Sequence, residues 1–315
     1  MKWFILVLLL LFVISACDDK EDFQLPSDTF TKQPILPAPP KPEAPKISDS
    51  LVDIEGLLYN DIIPGIGASE KFGDGPWNHR ILVGESFDSK AWTRVRAVLS
   101  DQASNPEAII DKEGKIRVYY VDAKNEGTTV AIWHKNSWVY KKMDLEEDVE
   151  DMSVVIDGDK YRIYYEINNV IYSGSSVNGI YFESEPGLRY SGSDIDGFDV
   201  FKVDTIWKMI VSENGSMIML TSNNGLQFEN PVDLNLEGFG IDVLKLEDKY
   251  RMYYHALYGT KISAFSASSN DSITWAEDSG VRLYGALRFD RYGINSPTVV
   301  PYEDKYRMFY YSQMN

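Results

Sequence analysis

The sequence predicts an all-β fold, a five-bladed β-propeller whose ring is closed by N-terminal strands that complete the C-terminal blade. Three observations predict it. A strand pattern typified by Lys-Tyr-Arg-Met-Tyr-Tyr occurs five times, starting at Lys115, Lys160, Ile206, Lys249 and Lys305, in steps of 45, 46, 43 and 56 residues. A period in that range marks stacked supersecondary units, and about 45 residues of strand formers make one four-stranded blade. Each copy carries the same flanking parts. The copies at the two ends of the chain are incomplete in complementary ways.

The flanking parts give each blade its order. About ten residues before each pattern lies a short apolar strand, the innermost of its blade, opening on the triplets 105–107, 151–153, 197–199, 240–242 and 296–298. Turn residues such as Asp157-Gly158-Asp159 separate the two, as in a hairpin. Downstream comes Ser-x-[Asn/Asp]-[Gly/Ser]-x-x-[Phe/Trp], ending at Phe182, Phe228 and Trp275, with a shortened form at 136–138. Its polar residues suit a tight turn, and its aromatic can pack between blades. A further copy, Ser86 to Trp92, has no inner strands of its own, whereas the last repeat has inner strands and then stops. Residues 80–100 are therefore expected to supply the outer strands of the last blade, which removes exposed edges. A WD40 array has a similar period, but no Gly-His or Trp-Asp signature recurs. No long amphipathic helical period appears, and 51–59 allows one short helix at most.

Residues ahead of the propeller read as targeting and tether. Lys2 and the apolar stretch 3–14 form a signal too short to span a bilayer. It ends Ile14-Ser15-Ala16-Cys17, which resembles a bacterial lipobox; an ordinary secretory signal containing a cysteine is the alternative. The expectation is a signal peptide at 1–16, lipidation of Cys17, and localisation in the cell envelope, lipid-anchored to a bacterial membrane. Cys17 is the chain's one cysteine, so no intramolecular disulfide can form. Residues 17–46 hold seven of the 14 prolines and read as an extended tether. The propeller is assigned to 47–315.

Composition narrows the partners. At 44% apolar and 13% aromatic residues, a substantial core is available. A formal charge of −17 argues against nucleic acid, whose binding needs cationic neutralisation of phosphate. Contact with a membrane is expected through the lipid alone, and the chain is expected to be a monomer. No cofactor is implied. His79, His134 and His255 show no metal-ligand spacing, so no metal site is expected beyond a structural cation in the channel.

The candidate chemistry lies where the inner strands border the central channel. Glu107, Asp199 and Asp242 occupy one alignment slot and are expected to approach one another, joined by Asp151 and Asp196. Clustered carboxylates repel one another and lose water, which raises one pKa and leaves another acid ionised, the division that glycoside hydrolysis needs. The alternative role for each acid is to cap inner-strand turns or hold a structural cation or water. Asn105, Glu150, Trp77 and His255 are candidates for substrate contact, with a structural role for His255 as its alternative.

The inner strands, the Lys-Tyr-Arg-Met-Tyr-Tyr strands and the Ser-x-Asn-Gly-x-x-Phe turns together resemble the five-bladed propeller glycosidases over residues 75–315. That group includes the family 43 arabinanases and xylosidases, the invertases and levansucrases, and the β-mannoside phosphorylases. The resemblance implies a glycan or oligosaccharide partner and catalytic roles for Asp151 and Asp196. The arabinanase-like pattern has an Asp base before Pro in the first blade, where this chain has Asn105-Pro106. Its second-blade Asp is matched by Asp151, and its third-blade Glu-Gly-Pro is approximated by Asp196-Gly197-Phe198. The phosphorylase-like Glu-Asp-Pro-Arg reads Glu150-Asp151-Met152-Ser153 here, without the Pro and Arg. The expectation is a divergent glycoside hydrolase, with a non-catalytic carbohydrate-binding or protein-interaction propeller as the alternative.

Overall fold

The computed structural model describes residues 60–314 apart from 72, 146–148 and 286–287. The signal, Cys17, the tether and the segment 51–59 lie outside the described residues. The first two strands, β1 (His79–Ser86) and β2 (Thr93–Asp101), belong to the last blade. Blade 1 is β3 (Ala103–Ile110), β4 (Ile116–Asp122), β5 (Gly127–His134) and β6 (Ser137–Lys142). Blade 2 is β7 (Asp151–Asp157), β8 (Lys160–Ile167) and β9 (Val170–Ser176), with the short β10 (Glu183–Ser184) and β11 (Tyr190–Ser191) both on β9. Blade 3 is β12 (Ile195–Val203), β13 (Ile206–Glu213), β14 (Ser216–Ser222) and β15 (Glu229–Glu237). Blade 4 is β16 (Phe239–Lys245), β17 (Tyr250–Tyr258) and β18 (Lys261–Ser269), with β19 (Ala276–Glu277) and β20 (Leu283–Tyr284) on β18.

Blade 5 joins the two ends of the chain in the order β2-β1-β22-β21, where β21 is Asn295–Tyr302 and β22 is Lys305–Gln313. The β1–β22 register runs from His79↔Gln313 to Ser86↔Tyr306 without a break. Glu85 bolts this clasp, accepting from Lys305 Nζ at 2.6 Å and Arg307 Nη2 at 3.0 Å. The expected closure is thus the observed one, and the fold is a five-bladed β-propeller.

The repeated pattern is explained by contacts between blades. The core is divided into clusters where neighbouring sheets meet face to face, as with Val118 and Tyr120 of blade 1 against Ile81 and Phe309 of blade 5. In blades 1 to 4 the pattern's Arg or Lys, with the first Tyr of the closing pair where present, reaches across to the polar turn of the following blade. Arg117 Nη1 donates to Asn178 O at 2.5 Å and Tyr119 Oη to Gly179 O at 3.1 Å. Arg162 and Tyr164 do the same to Asn224 O and Gly225 O, both at 2.9 Å. In blade 4, Tyr253 donates to Ser89 O at 2.7 Å and Arg251 to Ser89 Oγ. In blade 3, Ile210 lacks a hydroxyl, and Lys208 alone holds the turn, donating to Ser272 O at 2.8 Å and to Ser272 Oγ at 2.7 Å. The tyrosine hydroxyls and the Lys208 and Arg251 donors are buried, so their bonds prevent unsatisfied groups as well as fixing the next blade. The turn aromatics Trp92, Phe182, Phe228 and Trp275 are buried as expected, with Phe228 edge-on to Tyr164 at 5.9 Å.

Candidate functional site

The innermost strand of each blade is an edge strand toward its neighbour, and its N–H groups on that side have no ladder partner. One side chain per blade supplies the partner. Glu107 Oε1 accepts from Val154 N at 3.1 Å, Ser153 Oγ from Val200 N at 3.0 Å and Asp199 Oδ2 from Val243 N at 2.8 Å. Asp242 Oδ2 accepts from Val299 N at 3.0 Å, and Thr298 Oγ1 from Ala108 N at 2.9 Å. The ring is complete, each slot residue holding the amide that follows the next blade's slot residue. The two hydroxyls also donate hydrogen bonds to acids of the ring, Ser153 to Asp199 Oδ1 at 2.7 Å and Thr298 to Asp242 Oδ1 at 3.0 Å. The predicted slot acids Glu107, Asp199 and Asp242 do converge, and all three are buried. Ser153 and Thr298 are members that reasoning from acids passed over, although the repeat alignment places them in the same slot.

Burial of these acids sets their electrostatics. Loss of water, then repulsion from Asp199, Asp242 and Asp151, holds the Glu107 carboxyl well above the usual carboxylate range. Burial and the Asp199 charge do the same to Asp242. Burial raises Asp199 to about 6 against the pull of its Ser153 and Val243 bonds.

A second ring, two residues earlier, closes the mouth. Asn105 Nδ2 donates to Glu150 O at 2.5 Å, and Ser296 Oγ donates to Asn105 Oδ1 at 3.2 Å. The Asp151 carboxylate accepts from its own neighbour Met152 N at 2.9 Å and from the Phe198 amide across the blade boundary. At Gly240 (φ 55°) a Cβ would lie 2.7 Å from Ser296 Oγ and 2.8 Å from His255 Nδ1. The axial cavity between the rings is about 10 Å³, room for about one water. Glu107, Asp151 and Asp242 line it, whereas Asp199 and Asp196 do not.

The remaining candidates stand around this mouth. Burial raises Asp151 to about 7. Its cross-strand partner Glu166, which no sequence signal singled out, is raised to about 8 by burial and by the nearby Glu150 and Asp151 charges. Exposed Glu150 contributes its carbonyl to Asn105 and its amide to Glu166 O at 2.9 Å. Half-buried Asp196 accepts from the Gly215 amide; burial and Asp194 raise its pKa. His255 accepts from Ser296 N at 3.1 Å through Nδ1, which assigns its proton to Nε2, and burial lowers its pKa to about 3. Trp77 sits in the single-turn 3₁₀ helix Pro76–Asn78, half-buried, under Lys71 Nζ at 5.5 Å. His79, which follows that helix, stacks on Tyr311 at 4.6 Å. Among the described residues no group of His, Cys, Asp and Glu is arranged to hold a metal ion.

Beside Asp196 a groove of about 910 Å³ opens between blades 3 and 4. Its walls carry the carboxylates of Asp233, Glu237 and Glu277, the amides of Asn214 and Asn235, and the rings of Phe239, Tyr254 and Phe265. No lysine or arginine lines it.

No family model and no curated protein matches the chain. Solved structures do match its fold. The catalytic domain of a GH62 α-L-arabinofuranosidase from Coprinopsis cinerea aligns with a TM-score of 0.52 at 12% identity, covering 68% of this chain and 91% of that one. An α-L-arabinanase of Cellvibrio cellulosa, complexed with arabinohexaose, aligns at 0.52 and 11% identity over 67% and 87%. A GH32 β-fructofuranosidase of Bombyx mori aligns at 0.50 and 11% identity over 67% of this chain, which spans only 55% of that protein. This is the fold of the five-bladed propeller glycosidases. In the glycosidase fold met here, the inner-strand mouth holds Asn105, Asp151 and Asp196, but its five strands are drawn together by side chains that bond to backbone.

Proposed function

We propose that the protein is a glycan-recognising propeller of the cell envelope, anchored through Cys17, that binds neutral glycan in the groove beside its closed mouth without cleaving it. The observation that carries this reading is the use of the channel carboxylates: Glu107, Asp199 and Asp242 each hold the backbone of the next blade around an axis with about 10 Å³ of free space. A hydrolase needs two carboxyls free to reach a sugar and a water. The position that the family pattern gives to a base holds Asn105, whose amide is bonded to Glu150 and Ser296. The adjoining groove has suitable chemistry for sugars. Carboxylates and amides exchange hydrogen bonds with hydroxyls, aromatic rings pack on C–H faces, and the absence of cations from its lining disfavours acidic sugars. One neighbour of the same fold was solved with arabinohexaose and another with sucrose, which makes plant-type neutral oligosaccharides the first class to test.

Titration calorimetry against a panel of neutral polysaccharides and oligosaccharides, run beside a reducing-end assay for cleavage, tests the reading. The expected result is saturable binding with no released sugar, weakened about tenfold by Phe239→Ala, as for loss of one ring contact. Turnover would overturn the binding reading. It would favour the hydrolase reading, which one observation supports: carboxyls near pKa 7 and 8 at Asp151 and Glu166 are poised as general acids. In that case Asp151→Asn should abolish release while leaving the fold intact. No affinity for any glycan would leave the protein-interaction reading.

A further inference from the structure

A second cleft lies on blade 5, between its strands β1, β2 and β22 and the segment 288–290 that leads in from blade 4. Its volume is about 390 Å³, within the range of small-molecule sites. The floor and walls are mainly apolar, from Leu82, Val95, Val98, Phe289 and Tyr310. Arg94, Arg96 and Arg288 line it as well. Arg94 is already engaged, with its Nε on Asp290 and its Nη2 on Tyr284 O, and so latches the two blades together. Asp290 also accepts from Tyr310 Oη at 3.2 Å, so its carboxylate is held inside the wall. Arg96 and Arg288 are exposed and have no hydrogen bond or ion pair among the described residues. Arg80 lies over the Phe289 ring at 5.8 Å and is itself neutralised by its two bonds to Asp101.

In a chain of formal charge −17, two uncompensated arginines beside one apolar cavity are a local reversal of the protein's own field. We infer that this cleft binds a small amphiphilic anion, a carboxylate carried on an aliphatic or aromatic body. The apolar walls take the body, which leaves water as it enters. Arginine presents a planar fork of donors that matches a carboxylate, so Arg96 and Arg288 receive the head at the rim. The groove between blades 3 and 4 has the opposite character, with carboxylates and no cations, so the two sites discriminate between neutral sugars and apolar anions. The cleft is a separate surface from the mouth, and its occupation does not depend on the glycan reading.

Calorimetric titration of the folded protein with octanoate tests this, with 1-octanol, octylammonium and acetate as comparisons. Octanoate is expected to bind at least about tenfold more tightly than each of the three, because only it has both head and body. The double variant Arg96→Glu, Arg288→Glu should lose about tenfold or more in octanoate affinity, and since both side chains are exposed and unpaired its circular dichroism should be unchanged. Val98→Trp, which fills the cleft without touching charge, should also weaken binding. Equal binding of octanoate and octylammonium, or octanoate affinity unchanged in the double variant, would overturn the inference.

Discussion

At the scale of single residues, the mouth is governed by backbone that almost touches across blade boundaries. Asn105 (φ 47°), Gly197 (φ 127°), Gly240 (φ 55°) and Ser296 (φ 41°) all hold left-handed conformations at the position two before the slot. In blade 2 that position is Asp151, which pairs in regular register with Glu166 and reaches the Phe198 amide instead. Gly240 has the least room, because a methyl group there meets Ser296 and His255 while the backbone angle disfavours any side chain. Gly240→Ala is therefore expected to lower stability by about 2 kcal/mol or more, read as the urea midpoint at unchanged slope. A variant as stable as the wild type would show that the mouth has slack that these contacts do not suggest. Aligning the repeats singled out Asp151, Asp196 and Asn105 as residues of this mouth. The role of Glu166 was not legible, since it belongs to a second strand and acquires its raised pKa only through burial beside Glu150 and Asp151.

At the scale of strands, the clasp is a hairpin from which the connection is missing. Strands β22 and β1 are antiparallel neighbours in full register, and Met314 N donates to Asn78 O at 2.8 Å, so the ends that a turn would join are already adjacent. A permuted chain that runs 103–314, then a short turn, then 79–101, is expected to fold to the same propeller, with strand-type circular dichroism and a monomeric elution volume. Deleting 79–101 leaves β22 as an open edge and removes Glu85 from Lys305 and Arg307, so that chain should aggregate. A soluble, cooperative deletion product would mean that the clasp is not what closes the ring. This element was readable in advance because two incomplete repeats at opposite ends add up to one whole blade.

For the whole molecule, the axial ring makes stability depend on pH. A carboxyl whose pKa is higher in the folded than in the unfolded chain binds more protons when folded, so its contribution is fully present below the unfolded value and is lost as pH rises through the folded one. Asp199 moves from 3.8 to about 6, Asp151 from 3.8 to about 7 and Glu166 from 4.5 to about 8, and Glu107 and Asp242 move in the same direction. Melting temperature is therefore expected to fall between about pH 4 and 8. Peripheral acids with lowered values, such as Glu85 beside Lys305 and Arg307 and Asp278 beside Ser266, Ser268 and Arg251, act in the opposite sense and lose their contribution only as pH drops below the usual carboxylate range. General self-repulsion in a chain of charge −17 also weakens the fold at higher pH, so a variant must separate the two. Glu107→Gln keeps an oxygen for Val154 N and removes the titration. It should flatten the decline and raise the melting temperature at pH 8, by about 2–4 °C for each kcal/mol recovered. Glu107→Ala should instead fall about 1–3 kcal/mol below Glu107→Gln at every pH, because the Val154 amide is left unpaired. Equal slopes in wild type and Glu107→Gln would remove Glu107 from the linkage.

The repeat period, the hairpin turns and the complementary end fragments were sufficient to specify five blades and their closure, because strand alternation and turn chemistry are local properties written once per blade. They also brought Glu107, Asp199 and Asp242 to one level of the axis. They did not specify whether those acids face a substrate or the neighbouring backbone. That depended on how closely the inner strands approach. At the observed spacing each edge-strand amide needs a partner, the nearest oxygen belongs to the preceding blade's slot residue, and the carboxylates are bound in the spindle of the propeller. The acidic, aromatic groove between blades 3 and 4 and the arginine-rimmed cleft on blade 5 have the same origin: their walls come from segments tens to hundreds of residues apart, which adjoin only in the folded ring.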